Sequence, residues 1–154
     1  MPMTYVTLPP ADTHVRLLAG HAGNGRPAYE VLPARTLDGD LFELAGSPGL
    51  VLGCAAGDVL RISDDGEFEV TRQGPWLCVQ AAPEAGTFSP QALTALHEAV
   101  EGLGGLVESP ATLRFAVITI ERATDPAALE NALDAWADRT GQVAWWFGNG
   151  EVAR

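Results

Sequence analysis

The sequence predicts an α+β fold, with a small curled β-sheet or barrel in the N-terminal half and a β-α-β-α-β segment after it. Three observations lead there. Turn residues recur every few positions as far as residue 75. Two later stretches carry helix caps followed by apolar residues at helical spacing. Between them runs a stretch that is apolar on both faces, as a covered central strand is.

Thr13 to Ala19 is the first expected strand, and His21 to Pro27 a turn in which Asn24-Gly25 is a strong hairpin signal. Ala28 to Ala34 follows, then the turn Asp38-Gly39-Asp40 and a strand over Leu41 to Ala45. Gly49 to Ala55 is apolar on both faces and is read among the short strands of this half. Gly57-Asp58 makes a corner before Val59 to Ile62, and Asp64-Asp65-Gly66 a hairpin turn into Phe68 to Arg72. Short strands with turns this frequent predict a small barrel or strongly curled sheet.

Trp76 to Ala81 opens the second half as a strand. Ser89-Pro90 is an N-cap with proline at the first helical position, and Leu93, Leu96, Val100 and Leu103 share one face until Gly104-Gly105 ends the helix. Leu113 to Glu121 is the long strand, with Phe115 and Val117 on one face and Ala116, Ile118 and Ile120 on the other. Thr124-Asp125-Pro126 caps a second helix whose core stripe is Leu129, Leu133 and Trp136. Gly141 ends it, and Val143 to Phe147 is the last strand. This order resembles part of a ferredoxin-like sandwich. Residues 1–75 read as a β-rich lobe and 76–154 as a two-helix lobe, together one compact unit hinged near Ala82 to Gly86.

Composition narrows the partner more than the chemistry. Twenty acids face nine bases, all of them Arg, for a net charge of −11. The charge is spread, with −5 over residues 1–75 and −6 over 76–154. Such a surface repels phosphate, which argues against nucleic acid and anionic membranes and leaves a basic protein as the expected partner. The stretch Met1 to Pro10 has no basic region followed by an apolar run, and no apolar run approaches the ~20 residues of a spanning helix, so a cytoplasmic protein is expected.

Catalytic and metal motifs are not recognisable. Cys54 and Cys78 sit in apolar runs and read as buried thiols; a Cys–His pair would need one of the dispersed His14, His21 and His97. Asp64 to Glu69 lacks the spacing of a calcium loop and reads as a solvated hairpin tip. No cofactor is expected, and an enzyme is the third reading. Glu130, Asp134 and Asp138 recur every four residues and form an acidic stripe beside the core stripe of the second helix. Like charges at that spacing destabilise a helix by roughly 0.2–0.5 kcal/mol per pair. A solvated face is the ordinary explanation, and a docking surface for a basic partner the functional one. Trp145 and Trp146 point to opposite faces of the last strand. Core packing of both is the favoured reading; an exposed Trp would be an interface anchor.

The features from about Val15 to Trp146 resemble a small bacterial domain family of unknown function, which joins a barrel-like β segment to a two-helix α+β segment. The residues that carry the resemblance are Asp38-Gly39-Asp40-Leu41-Phe42-Glu43-Leu44, Ala56-Gly57-Asp58-Val59, Phe115-Ala116-Val117-Ile118-Thr119-Ile120, and Trp145-Trp146. The resemblance implies a fold outline and no reaction. Small acidic domains of this kind also resemble immunity proteins. The first functional reading is therefore an acidic protein-binding module that neutralises a basic toxin or nucleic-acid enzyme, with Glu130, Asp134, Asp138, Asp64, Asp65 and Glu67 as contact residues. The alternative is a small-molecule-binding regulatory domain with its ligand in the groove between the lobes.

Overall fold

The turn residues close hairpins where they stand in the sequence. Gly25 takes φ 81°, and the Ala22 and Arg26 backbones close the loop around it with a hydrogen bond of 2.8 Å. The computed structural model describes residues 6–150, so residues 1–5 of the N-terminal stretch and residues 151–154 lie outside the described residues. Among the described residues the fold is α+β and mostly strand, with two helices and two antiparallel sheets.

The first sheet is a meander of β1 (Thr13–His21), β2 (Pro27–Asp38), β3 (Leu41–Leu44), β4 (Val59–Ile62) and β5 (Phe68–Arg72), paired in that order. It is an open sheet rather than a closed barrel. It curls until the β4–β5 turn meets β1, where Leu18 N–H donates to the Gly66 carbonyl at 2.9 Å. Its inner face buries Val15, Leu17, Leu32, Ala34, Leu44 and Leu60.

The second sheet has the order β7-β8-β6-β9, from β6 (Trp76–Pro83), β7 (Leu106–Glu108), β8 (Ala116–Glu121) and β9 (Val143–Phe147). Helices α1 (Pro90–Glu101) and α2 (Pro126–Thr140) cover one of its faces. Ser89 accepts the Ala92 N–H at 3.0 Å and Asp125 the Ala127 N–H at 3.1 Å, so both caps form as their residue types require. Leu96, Ile118, Ile120, Leu133 and Trp136 are fully buried between helices and sheet. The Trp136 indole N–H donates to the Ala92 carbonyl at 2.9 Å, joining the helices through an otherwise apolar layer.

Two expectations need correction. The second half runs β-α-β-β-α-β, not β-α-β-α-β, because Leu106–Glu108 pairs with β8. Three residues are too few to show a period, and Gly104-Gly105 and Ser109-Pro110 on either side read as loop. Nor is Gly49 to Ala55 a strand. Residues 45–58 form an irregular connection between β3 and β4, buried except at Leu50, Leu52 and Gly53.

Each sheet has its own apolar core, and a third small cluster of Ala55, Cys78 and Val117, with Phe115 against it, joins them. Leu17→Ala in the first core and Leu133→Ala in the second should each cost about 2–5 kcal/mol. Each should shift one shared urea transition. Two separate transitions, each sensitive to one variant, would show that the halves fold independently.

Candidate functional site

A buried loop has to find partners for its own peptide groups. The 45–58 loop finds them in side chains from both sheets. Glu30, on β2, accepts three consecutive N–H groups: Gly49 at 2.7 Å, Leu50 at 2.9 Å and Val51 at 3.0 Å. Gln80, on β6, donates its amide to the carbonyls of Pro48 and Val51, both at 2.9 Å. Asp58 accepts from Ala55 at 3.0 Å and from Gly74 at 2.7 Å. Ser47 accepts the Thr119 hydroxyl at 2.8 Å and the Ala56 N–H at 3.0 Å. The buried polar residues among those described are Ser47, Asp58, Gln80 and Thr119. All four serve this seam. Gly49 is required there, since a Cβ would stand 2.0 Å from the Phe115 ring.

The two cysteines belong to the same seam. The Cys78 thiol donates to the Pro48 carbonyl at 3.3 Å. Burial, with the Glu30 charge adding to it, pushes its pKa up to about 12. Burial and the nearby Asp58 charge push Cys54 higher still. Both are buried free thiols, while His14, His21 and His97 are exposed at other places on the fold. Among the described residues, no group of three or more His, Cys, Asp or Glu gathers where it could hold a metal ion.

The seam presents an apolar platform to solvent. The Gln80 Oε1 accepts the Trp146 indole N–H at 2.7 Å, while its amide nitrogen holds Val51. Leu50 and Leu52 flank Val51 in the chain, so the segment that Gln80 holds carries two exposed leucines and Gln80 itself holds an exposed Trp: Leu50 is 54% exposed, Leu52 59% and Trp146 38%. Trp146 is thus not a core residue as expected. Its neighbour Trp145 packs on the helix side, edge-on to Phe147 with centroids 5.5 Å apart.

The acidic residues singled out in the sequence fall in two places. Asp64, Asp65 and Glu67 are exposed on the β4–β5 turn. Asp65 is engaged by its own turn, accepting the Ser63 hydroxyl and the Glu67 N–H, and these bonds hold its carboxyl below the usual range. The tip lies against β1, where Leu18 donates to the Gly66 carbonyl and the Arg16 guanidinium reaches the Asp64 carbonyl at 3.4 Å, and the turn leads into Phe68, whose ring approaches the loop at Gly53. Glu130, Asp134 and Asp138 lie on α2, across the second sheet from the platform. Asp134 accepts the Trp145 indole N–H at 3.1 Å. Elsewhere on the first sheet Arg35 pairs with Glu43, and Arg61 with Asp40 and Glu69. Among the described residues, Asp64, Glu67, Glu130 and Asp138 enter no ion pair.

Glu130 also lines a cleft of about 410 Å³ with Leu77, Arg122, Pro126, Leu129 and Phe147. The groove between the lobes is smaller, about 260 Å³. No helix among the described residues is long and apolar enough to cross a membrane.

The model of a family described as a domain of unknown function (DUF4265) matches residues 30–145. No curated protein matches the sequence. Among solved structures, the chain is similar to a hypothetical protein from Neisseria gonorrhoeae, with a TM-score of 0.62 at 11% identity, over 88% of this chain and 93% of that one. At that identity the likeness shows the fold.

Glu30→Gln offers one acceptor oxygen to three donors and should cost about 1–3 kcal/mol. Hydrogen exchange should accelerate at Gly49, Leu50 and Val51 before it does in β6 or β8. The thiols should resist iodoacetamide at pH 8 in the folded protein and react only on unfolding; rapid native-state alkylation would contradict the burial described.

Proposed function

The chain belongs to the DUF4265 family of domains of unknown function, and from that premise we propose that it is an acidic protein-binding module for a basic partner. The observation that carries the reading is the platform of Trp146, Leu50 and Leu52. An exposed aromatic held in one orientation loses little freedom on binding, and such residues anchor interfaces. Asp64 and Glu67, which enter no ion pair among the described residues, supply charge that selects and steers a basic protein. An immunity protein blocking a basic toxin or nucleic-acid enzyme would use this chemistry, with carboxylates standing where phosphates bind.

A second reading, a small-molecule-binding regulatory domain, is supported by the cleft beside α2, whose volume falls within the roughly 300–1,000 Å³ common for ligand pockets. We read the second lobe as a ferredoxin-like sandwich; the β-α-β-β-α-β order and the strand order β7-β8-β6-β9 support that reading.

Tagged wild-type chain, Trp146→Ala, and the double variant Asp64→Arg with Glu67→Arg serve as baits in extract from the native host, after melting curves establish that each is folded. The wild type should retain a basic protein, with a yield that falls as salt rises. Trp146→Ala should weaken that complex about thirtyfold or more, since hot-spot truncations cost at least ~2 kcal/mol. Equal retention by all three baits, or an acidic partner, would overturn the assignment.

A further inference from the structure

Arg122 and Glu130 line one cleft, yet among the described residues no ion pair joins them. Arg122 Nη2 donates to the Trp76 carbonyl at 3.1 Å, which fixes the guanidinium at the start of β6. Its Nε is buried without a hydrogen-bond partner. The remaining cleft residues are apolar, with Leu77 from β6, Leu129 from α2 and Phe147 from β9. Leu129 is fully buried, while Glu130 is half-buried on the next position of the same helix. The arrangement is a cation and an anion held apart over an apolar surface.

Two opposite charges that share a cleft without pairing are complementary to a molecule carrying both. A simple carboxylate would leave Glu130 unsatisfied and close to the ligand's own charge. A simple amine would give Arg122 no partner within the cleft and leave it only the nearby Asp58 charge. A guanidinium matches a carboxylate in shape as well as charge, and an apolar body would cover the Leu77 and Phe147 side chains.

We infer that this cleft binds a free α-amino acid with an apolar side chain, its carboxylate toward Arg122, its ammonium toward Glu130 and its side chain on Leu77 and Phe147. This rests on the small-molecule reading of the chain and is independent of the platform around Trp146. Glu130 thereby has a use as a ligand contact, separate from the charge of the α2 stripe.

Isothermal titration of the full chain with L-leucine and L-phenylalanine tests it, beside the matching amines (3-methylbutylamine and 2-phenylethylamine) and the matching acids (4-methylpentanoate and 3-phenylpropanoate). One amino acid should bind at a single site, at least tenfold more tightly than its amine and its acid. Glu130→Gln, a change on a half-exposed helix position that leaves the core intact, should abolish the preference for the amino acid over the acid. Arg122→Gln should weaken the amino acid and the acid alike. An acid that binds as well as its amino acid would overturn the inference, and so would binding that neither variant changes. A thermal-shift screen separates the two levels. Stabilisation by other metabolites, with none by amino acids, would overturn the ligand class and leave the small-molecule reading standing; stabilisation by nothing would overturn both.

Discussion

The carboxylate of Glu30 holds three consecutive backbone N–H groups of a loop that would otherwise be buried with its polar atoms unpaired. Everything between the two sheets depends on that arrangement. An irregular segment cannot satisfy its peptide groups from within, as a helix does, or from a neighbouring strand. Glu30 supplies the acceptors, Gln80 supplies donors from the opposite sheet, and Asp58 closes the far end. Removing any one partner leaves buried groups exposed to the full cost of desolvation.

The same network explains why apolar side chains stand at the surface. Val51 is buried, with both its N–H and its carbonyl engaged, so its neighbours Leu50 and Leu52 are directed outward. Trp146 is drawn to the same point because Gln80 accepts its indole N–H. The platform follows from the seam, and a chain of hydrogen bonds links a carboxylate on the first sheet to an aromatic ring at the edge of the second. Binding at the platform would therefore press on a rigid element shared by both sheets.

Much of the fold is legible in the sequence because its signals are local. Asn24-Gly25 and Asp64-Asp65-Gly66 specify turns by their own backbone preferences, and Ser89-Pro90 and Asp125-Pro126 announce helices by their own caps. What escaped was set by distant partners. Gly49 to Ala55 is apolar like a strand, but its conformation is decided by Glu30, nineteen residues before Gly49, and by Gln80, twenty-nine residues after Val51. Leu106–Glu108 becomes a strand because β8 offers an edge beside it. For the candidate site, the acids were readable as charge, and Trp146 as one of two faces. The platform was not readable, because a lone Gln within the apolar run Trp76 to Ala81 shows nothing of the Trp it will hold.

Glu30 and Gln80 act on one element from opposite sheets, both through Val51. A double-mutant cycle with Glu30→Gln and Gln80→Leu, read from urea unfolding, measures this directly. A coupling energy between about 0.5 and 3 kcal/mol is expected, because the first change frees the loop that the second would otherwise disrupt. Losses that add to within about 0.5 kcal/mol would contradict it, since the two side chains would then be stabilising separate parts of the fold.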